Sequence, residues 1–194
     1  MPGQALPASF FSRDPVVVAR ALLGRRLVRV LDGQRLGGLI AETEAYAGSD
    51  DEASHAYRHT PRSAIMFGPP GRAYVYFIYG MYFCLNAVTG DYGQPGAVLI
   101  RAIRPDEGVE AMRLLRPRAT DARLADGPGK LCRALGIDRS LNGTDLAAGP
   151  ELFIVDGPGA PDDEVAITRR VGVRGNAVAL QRPWRFVWAA GGEG

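Results

Sequence analysis

The alternation of apolar and polar positions divides this chain into many short elements. Asp14-Pro15, the apolar stretch Val16 to Leu23 and then Gly24 predict a short helix, with Asp14 as N-cap, Pro15 at the first helical position and Gly24 beyond the end. Leu27 to Leu31, the dipeptide Asp32-Gly33 and Arg35 to Tyr46 predict a hairpin, because Asp-Gly accommodates the positive φ angles of a tight turn. From Ala47 to Gly71 the periodicity stops and turn formers take over (Gly48, Ser49, Asp50, Asp51, Pro61, Pro69, Pro70). That predicts a long loop with one helical turn, and loops of this length are commonly functional or disordered. β-branched and aromatic residues return at Tyr74 to Tyr79 and at Tyr82 to Val88, a second hairpin with Tyr79-Gly80 near its tip.

Ala97 to Ile103 predicts a further strand. A helix is expected from Glu107 to Leu115, capped by Asp106 and stopped by Pro117, and another after Gly127-Pro128-Gly129, ending at Gly136. Strands are expected at Glu151 to Val155, Glu164 to Val173 and Trp184 to Ala189. No break in composition and no internal repeat divides the chain. The pattern therefore predicts one α+β domain over residues 1–194 with a mostly antiparallel sheet, and residues 1–11 as a loosely ordered tail.

Composition narrows the function classes. With 194 residues, 46% of them hydrophobic and 23% charged, the chain can bury one core, which excludes a disordered tail or a disulfide miniprotein. The 25 glycines and 14 prolines follow no period and so read as turn punctuation. No run approaches 18 apolar residues, and Met1 to Phe11 lack the basic region and apolar stretch of a signal peptide, so a soluble intracellular protein is expected, without a membrane partner. The net charge of +2 excludes a polycation of the histone kind. Charge is nonetheless uneven: Arg101 to Arg139 carries nine basic and six acidic residues, and Val165 to Gly194 five basic and one acidic. Either segment could be an ordinary solvated surface or a contact with a polyanion. Cys84 and Cys132 form no CxxC pair and read as buried thiols. Lys130 is the only lysine among 23 basic residues, which removes most candidates for Schiff-base chemistry.

Three constellations could carry chemistry. In Glu42-Thr43-Glu44-Ala45-Tyr46 the strand period of two places Glu42, Glu44 and Tyr46 on one face, together with Ile40. Such a face is ordinarily two solvated glutamates; the functional alternative is a carboxylate that activates water. The run Tyr74 to Phe83 holds six of the sixteen aromatics in ten positions. A buried strand accounts for some of them, but four phenols each need a partner, and a tyrosine beside glycine at a hairpin tip is placed to protrude. Protruding or stacking rings can wedge between bases or hold an unstacked one. His55 and His59, the only histidines, have the i, i+4 spacing of helical metal sites, yet lack the usual intervening glutamate and a third ligand. Gly127-Pro128-Gly129-Lys130 falls short of a Walker loop: it can offer amides to one phosphate, or be simply a helix-entry turn.

Read in order, Leu22-Leu23-Gly24, Glu42-Thr43-Glu44-Ala45-Tyr46, Asp51-Glu52-Ala53-Ser54-His55, Thr60-Pro61-Arg62, Met66-Phe67, Tyr74-Val75-Tyr76 through Asn86, Gly127-Pro128-Gly129-Lys130-Leu131, Arg169-Arg170-Val171-Gly172-Val173 and Arg182-Pro183-Trp184-Arg185-Phe186 resemble the alkyladenine (3-methyladenine, N-methylpurine) DNA glycosylases. Each motif is weak alone; their ordered combination from Leu22 to Trp188 is specific. The resemblance implies a curved antiparallel sheet flanked by short helices, related to the formyltransferase C-terminal-domain-like fold. It also implies a monomeric, monofunctional glycosylase acting on duplex DNA within the cell, releasing alkylated or deaminated purines with no metal or cofactor. Glu44 matches the family's general base and Arg101 the arginine that helps hold the attacking water. Tyr46, His55 and Tyr76 match the residues that sandwich the flipped base, and Asn86 the one that crowds the amine of ordinary guanine. Tyr79 matches the tyrosine that fills the gap left in the duplex, with Met81 and Tyr82 beside it, while Thr60, Met66 and Lys130 match positions flanking the DNA. From the residues alone two alternatives remain: a sugar hydrolase using Glu42 and Glu44 as a carboxylate pair, and a non-catalytic DNA-binding module.

Overall fold

The computed structural model describes residues 3–189. Its strands are β1 (Arg26–Leu31), β2 (Gln34–Tyr46), β3 (Ala73–Ile78), β4 (Tyr82–Thr89), β5 (Gly96–Glu107), β6 (Leu152–Val155), β7 (Val165–Thr168) and β8 (Arg185–Trp188). Five short helices accompany them: α1 (Ala8–Phe11), α2 (Pro15–Leu22), α3 (Val109–Leu115), α4 (Pro128–Ala134) and α5 (Ala177–Gln181). The strands form one sheet in the order β3-β4-β5-β2-β1-β6, and β8 joins beside β2 with β7 on its outer side. Every pairing is antiparallel, so the architecture is the expected α+β one, an open curved sheet with few helices. Among the described residues no helix is long and apolar enough to cross a membrane.

Local chemistry explains the first elements. The Asp14 carboxylate accepts hydrogen bonds from the amides of Val16 and Val17, and Pro15 opens α2 as the first-turn rule requires. This helix lies over β2 and β5 and buries Val18, Ala19 and Leu22 completely. Each fully buried aliphatic side chain of this size contributes roughly 1.5–3 kcal/mol. Asp32 and Gly33 have φ of 50° and 79°, the pair of positive angles that a two-residue hairpin turn between β1 and β2 demands. A second, smaller core of Ala56, Met66, Tyr74, Val88 and Ala97 lies beneath the long loop after β2.

The β2–β5 ladder sets up everything that follows. Ile40 pairs with Ile103 and Glu42 with Ala102, leaving Ala41 as an extra residue; Thr43 then pairs with Ile100, leaving Arg101 as an extra residue on β5. Bulges of this kind shift the in-and-out alternation and re-aim side chains. Ile40 is thereby in the main core, while beyond the bulges Thr43 and Ala45 face α2 and Glu42, Glu44 and Tyr46 face the other way. The expectation that Ile40 shares the glutamates' face fails for this reason: a period of two holds only in an unbroken ladder.

Other expectations also give way. Residues 1–11 are no loose tail where described: Ala5 bridges to Val155, the Leu6 amide donates to the Ile154 carbonyl, and Phe11 is wholly buried. Residues 1 and 2 lie outside the described part. The helix expected to begin at Glu107 begins at Val109 instead. Glu107 is still in β5, bound to Arg35, and Asp106 pairs with Arg26 rather than capping. Gly108, with φ of 68°, makes the corner. The strand expected over Glu164 to Val173 is cut short after Thr168, and residues 169–176 form an irregular loop. Two helical turns, at His55–Tyr57 and Ala64–Phe67, occupy the long loop where one was expected.

Gly38 sits where β2 passes so close to β5 that a Cβ would collide with the Arg104 carbonyl oxygen, and the adjoining Gly37 and Gly38 mark another register shift. Gly38→Ala is expected to lower stability by more than about 2 kcal/mol, well above an ordinary surface change. Chemical denaturation is the check; a loss below about 0.5 kcal/mol would mean that the ladder is not packed this tightly.

Candidate active site

A cleft of about 620 Å³ opens beside the β3–β4 hairpin, between β4, β5, the loop carrying His55 and the loop following β7. Eight of the residues singled out from sequence line it: Tyr46, His55, Met66, Tyr76, Tyr79, Tyr82, Asn86 and Arg101. The fold therefore gathers positions separated by more than fifty residues along the chain into one concave surface.

Glu44 lies directly behind this wall, with no solvent exposure. Its Oε2 accepts a hydrogen bond from the Tyr46 hydroxyl at 2.7 Å and lies 3.2 Å from Nη1 of Arg101; its Oε1 accepts from the Val171 amide at 2.7 Å. A phenol, a guanidinium and a backbone amide thus converge on the carboxylate as donors. Tyr46 remains a donor because burial, reinforced by Glu44, holds its phenol well above the usual range. Burial works against the charge of Arg101, but Glu44 and Glu42 outweigh it and raise the guanidinium's pKa further.

Glu42 occupies a different place from its neighbour two residues on. Its Oε1 accepts from Nε of Arg101 at 2.5 Å and from Nε of Arg185 at 2.6 Å. Arg185, Glu42, Arg101 and Glu44 thus alternate in sign, two cations and two anions, with Arg101 standing between the carboxylates. A carboxylate pair free to act as acid and nucleophile is not what this arrangement offers.

The aromatic wall is built from the second hairpin. Tyr74 and Tyr76, two apart on β3, have ring centroids 5.2 Å from each other, and His55 meets Tyr76 edge-on at 4.7 Å. Nδ1 of His55 lies 2.8 Å from the Tyr74 hydroxyl, which fixes the imidazole on the cleft wall. Partial burial and then the nearby Arg62 guanidinium lower the His55 pKa from 6.5 to about 4, which favours the neutral ring at physiological pH, although the residue is exposed on its cleft side. His59 instead stacks near Phe67 at 4.6 Å, so the two histidines face different partners. Among the described residues no cluster of three His, Cys, Asp or Glu could hold a metal. Asn86, buried opposite Tyr74 in the ladder, donates from Nδ2 to the Tyr74 carbonyl at 3.1 Å, so the orientation of its amide is set.

At the hairpin tip Tyr79 is 77% and Met81 65% exposed, with Tyr82 beside them at 37%. Tyr79 has φ of 54°, an unusual backbone for a tyrosine and a strain that the tip tolerates while presenting a large ring to solvent. Lys130, in the first turn of α4, reaches the Asp126 carboxylate at 2.8 Å on the surface. Thr60 is exposed and bonds Ser63 through both its amide and hydroxyl. Met66, expected at the flank of bound DNA, is instead buried against Tyr74, because the helical turn at Ala64–Phe67 directs it inward; it is wall, not rim. Cys84 and Cys132 are buried thiols, as expected.

Two contributors escaped the sequence reading. Val171 acts through its backbone amide, which no side-chain pattern reveals. Gly129 lies so close to the Tyr82 ring that a Cβ would sit 2.8 Å from it, so α4 braces the hairpin only because residue 129 is glycine. Its signal was the second glycine of the Gly127-Pro128-Gly129-Lys130 turn, read there as phosphate binding or helix entry.

Comparison with known proteins agrees with this geometry. Residues 9–191 match the family described as methylpurine-DNA glycosylase (MPG). A protein of Methanocella arvoryzae, provisionally named a 3-methyladenine DNA glycosylase, is 50% identical over 183 residues, 93% of this chain and 90% of the relative. One from Anaeromyxobacter dehalogenans with the same provisional name is 52% identical over 183 residues, 93% of this chain and 82% of the relative. Another from Carboxydothermus hydrogenoformans is 45% identical over 182 residues, 93% of each. The chain belongs to the methylpurine-DNA glycosylase family and is a DNA repair glycosylase, a hydrolase of N-glycosyl bonds.

Proposed function

We propose that the protein is a monofunctional glycosylase acting on a damaged purine rotated out of duplex DNA, with Glu44 as the general base. The observation that carries this reading is a fully buried carboxylate bound by three donors immediately behind the aromatic cleft. Each carboxylate oxygen can accept two hydrogen bonds. Oε1, which accepts from the Val171 amide, keeps one acceptor site for a water that Arg101 helps to hold. The water oxygen bonds to C1′ of the deoxyribose on the face opposite the base, its proton passes to Glu44, and the electrons of the N-glycosidic bond leave with the purine. Shielding from solvent strengthens this carboxylate's action on the developing oxocarbenium charge. An alkylated, cationic purine departs without a strong acid, so one carboxylate suffices where O-glycosidases commonly need two. No step as drawn calls for a metal or cofactor. The single lysine, Lys130, is paired with Asp126 outside the cleft, which supports hydrolysis rather than a lyase reaction through a Schiff base.

Extrusion of the nucleotide costs a few kcal/mol, less at a weakened pair. Tyr46, His55 and Tyr76 offset that cost by stacking, and do so best for a cationic ring over their faces. A neutral His55 adds no charge that would repel such a ring. Asn86, fixed by its bond to Tyr74, crowds the exocyclic amine of ordinary guanine. Tyr79 fills the gap in the stack with Met81 and Tyr82 alongside, and Thr60 and Lys130 meet the flanking backbone. The protein works as a monomer on DNA inside the cell, and deaminated purines such as hypoxanthine are within its range.

Single-turnover release of hypoxanthine, ethenoadenine and alkylated purine from duplexes tests the assignment. Glu44→Gln is expected to bind the lesion duplex as wild type does and to lose base release by a factor of about 10² or more; wild-type release by this variant would remove Glu44 from the mechanism. The histidine supplies a second test. Its ring, followed by NMR in a His59→Asn background, is expected to titrate with a midpoint of about 4. Between pH 6.5 and 4 the unfolded chain binds the proton that the folded ring refuses, so His55 makes stability fall as pH drops through that window. The ring's open edge keeps that contribution small. A folded-state midpoint at or above 6.5 would contradict the packing described.

A further inference from the structure

We propose that Arg170 is a positioning residue for the reaction: by gripping Asp51 and the end of β2 it holds the Val171 amide against Glu44. This inference rests on the reading of Glu44 as the base.

Side chains of Arg170 and Asp51 are both wholly buried. Nη1 of Arg170 donates to Asp51 Oδ2 at 2.6 Å and to the Ala45 carbonyl at 3.0 Å; Nη2 donates to Asp51 Oδ1 at 2.8 Å and to the Ala179 carbonyl at 3.0 Å. The guanidinium also lies 4.8 Å from the centre of the Tyr46 ring and 5.2 Å from that of Trp184. One cation therefore ties together three parts of the chain. These are the strand end that carries Glu44 and Tyr46, the loop that leads from Asp51 to His55, and α5.

What makes this grip bear on the chemistry is the character of the loop beyond it. Residues 169–176 have no ladder to hold them, and Gly172 has a positive φ of 67°. Among the described residues, the hydrogen bonds joining 170–175 to the rest of the fold are the four from Arg170 and the one from the Val171 amide to Glu44. Val171 itself is half exposed, so packing does not pin it. Its amide meets Glu44 because the residue before it is anchored through a rigid, bidentate fork. Lysine has the charge but not the fork, and cannot reach Asp51, Ala45 and Ala179 with the same geometry. A buried ion pair is poor evidence for a stabilising role by itself, since apolar residues of like volume often serve stability as well. That separates the two possible reasons for the pair.

The test compares Arg170→Lys, Asp51→Asn and the double variant Arg170→Met/Asp51→Leu with wild type and Glu44→Gln, measuring thermal midpoint, binding to a duplex with one hypoxanthine, and single-turnover release. The double variant leaves the Ala45 and Ala179 carbonyls and the Ala47 and Ala53 amides without these partners, so it is expected to melt below wild type; measured below its midpoint, it is expected to bind within about threefold yet to release base at least about tenfold more slowly, a loss confined to the chemical step. Arg170→Lys and Asp51→Asn, whose side chains are closest in size to the originals, are expected to show the same slow release. Wild-type release by any folded member of the set overturns the proposal. If release is unchanged in Glu44→Gln, the underlying assignment of the base fails; if Glu44→Gln is slow and Arg170→Lys is fast, only the positioning role fails.

Discussion

An ionised carboxylate removed from water is the constraint around which this molecule is organised. Burying one such charge costs several kcal/mol unless hydrogen bonds and an opposite charge replace the lost hydration. Glu44 receives both, from three directions: the Tyr46 hydroxyl on its own strand, Arg101 from the neighbouring strand and the Val171 amide from the loop after β7. The first follows from the strand period of two, but the other two need departures from a regular ladder. The extra residues at Ala41 and Arg101 turn the glutamates off the core face and bring the guanidinium between them, and Glu42 with Arg185 continues the alternation of sign, so that the buried group as a whole carries no net charge.

Around that fixed floor the fold divides its labour. The β2–β5 ladder, with α2 packed across it, is the rigid part and carries the charges. The β3–β4 hairpin carries the rings, from the buried Tyr74 through Tyr76 at the cleft to the exposed Tyr79. Helix α4 supports the hairpin by letting Tyr82 rest on Gly129. The buried charges and the exposed rings are thus set on different elements that meet at one cleft.

Much of this was legible in the chain. Asp14-Pro15 and Asp32-Gly33 act through local stereochemistry, and both did what their residue types require. The clustered tyrosines signalled a protruding tip because a phenol beside glycine has few other uses. Where reading failed, the cause was tertiary. Ile40 was assigned to the glutamates' face because a bulge leaves no mark in a hydrophobic pattern. Glu107 and Asp106 looked like a helix start, but pairing with Arg35 and Arg26 kept them in the strand. The stretch after Thr168 looked like strand, yet it finds no partner and turns into the loop that brings Val171 to Glu44. Met66 resembled a residue at the DNA rim, and only the inward turn of its loop shows it to be wall. Family resemblance singled out Glu44; it could not say that this side chain would sit behind the cleft surface instead of on it.

The central claim is electrostatic: a desolvated negative charge faces the place where positive charge develops on the sugar. Its most direct test is the relative affinity for two duplexes that differ only at one abasic position, a cationic pyrrolidine against a neutral tetrahydrofuran. The account predicts that the pyrrolidine duplex binds at least about tenfold more tightly, a differential of roughly 1.4 kcal/mol, and that Glu44→Gln abolishes the preference. Equal affinity of the unaltered protein for the two duplexes would contradict it.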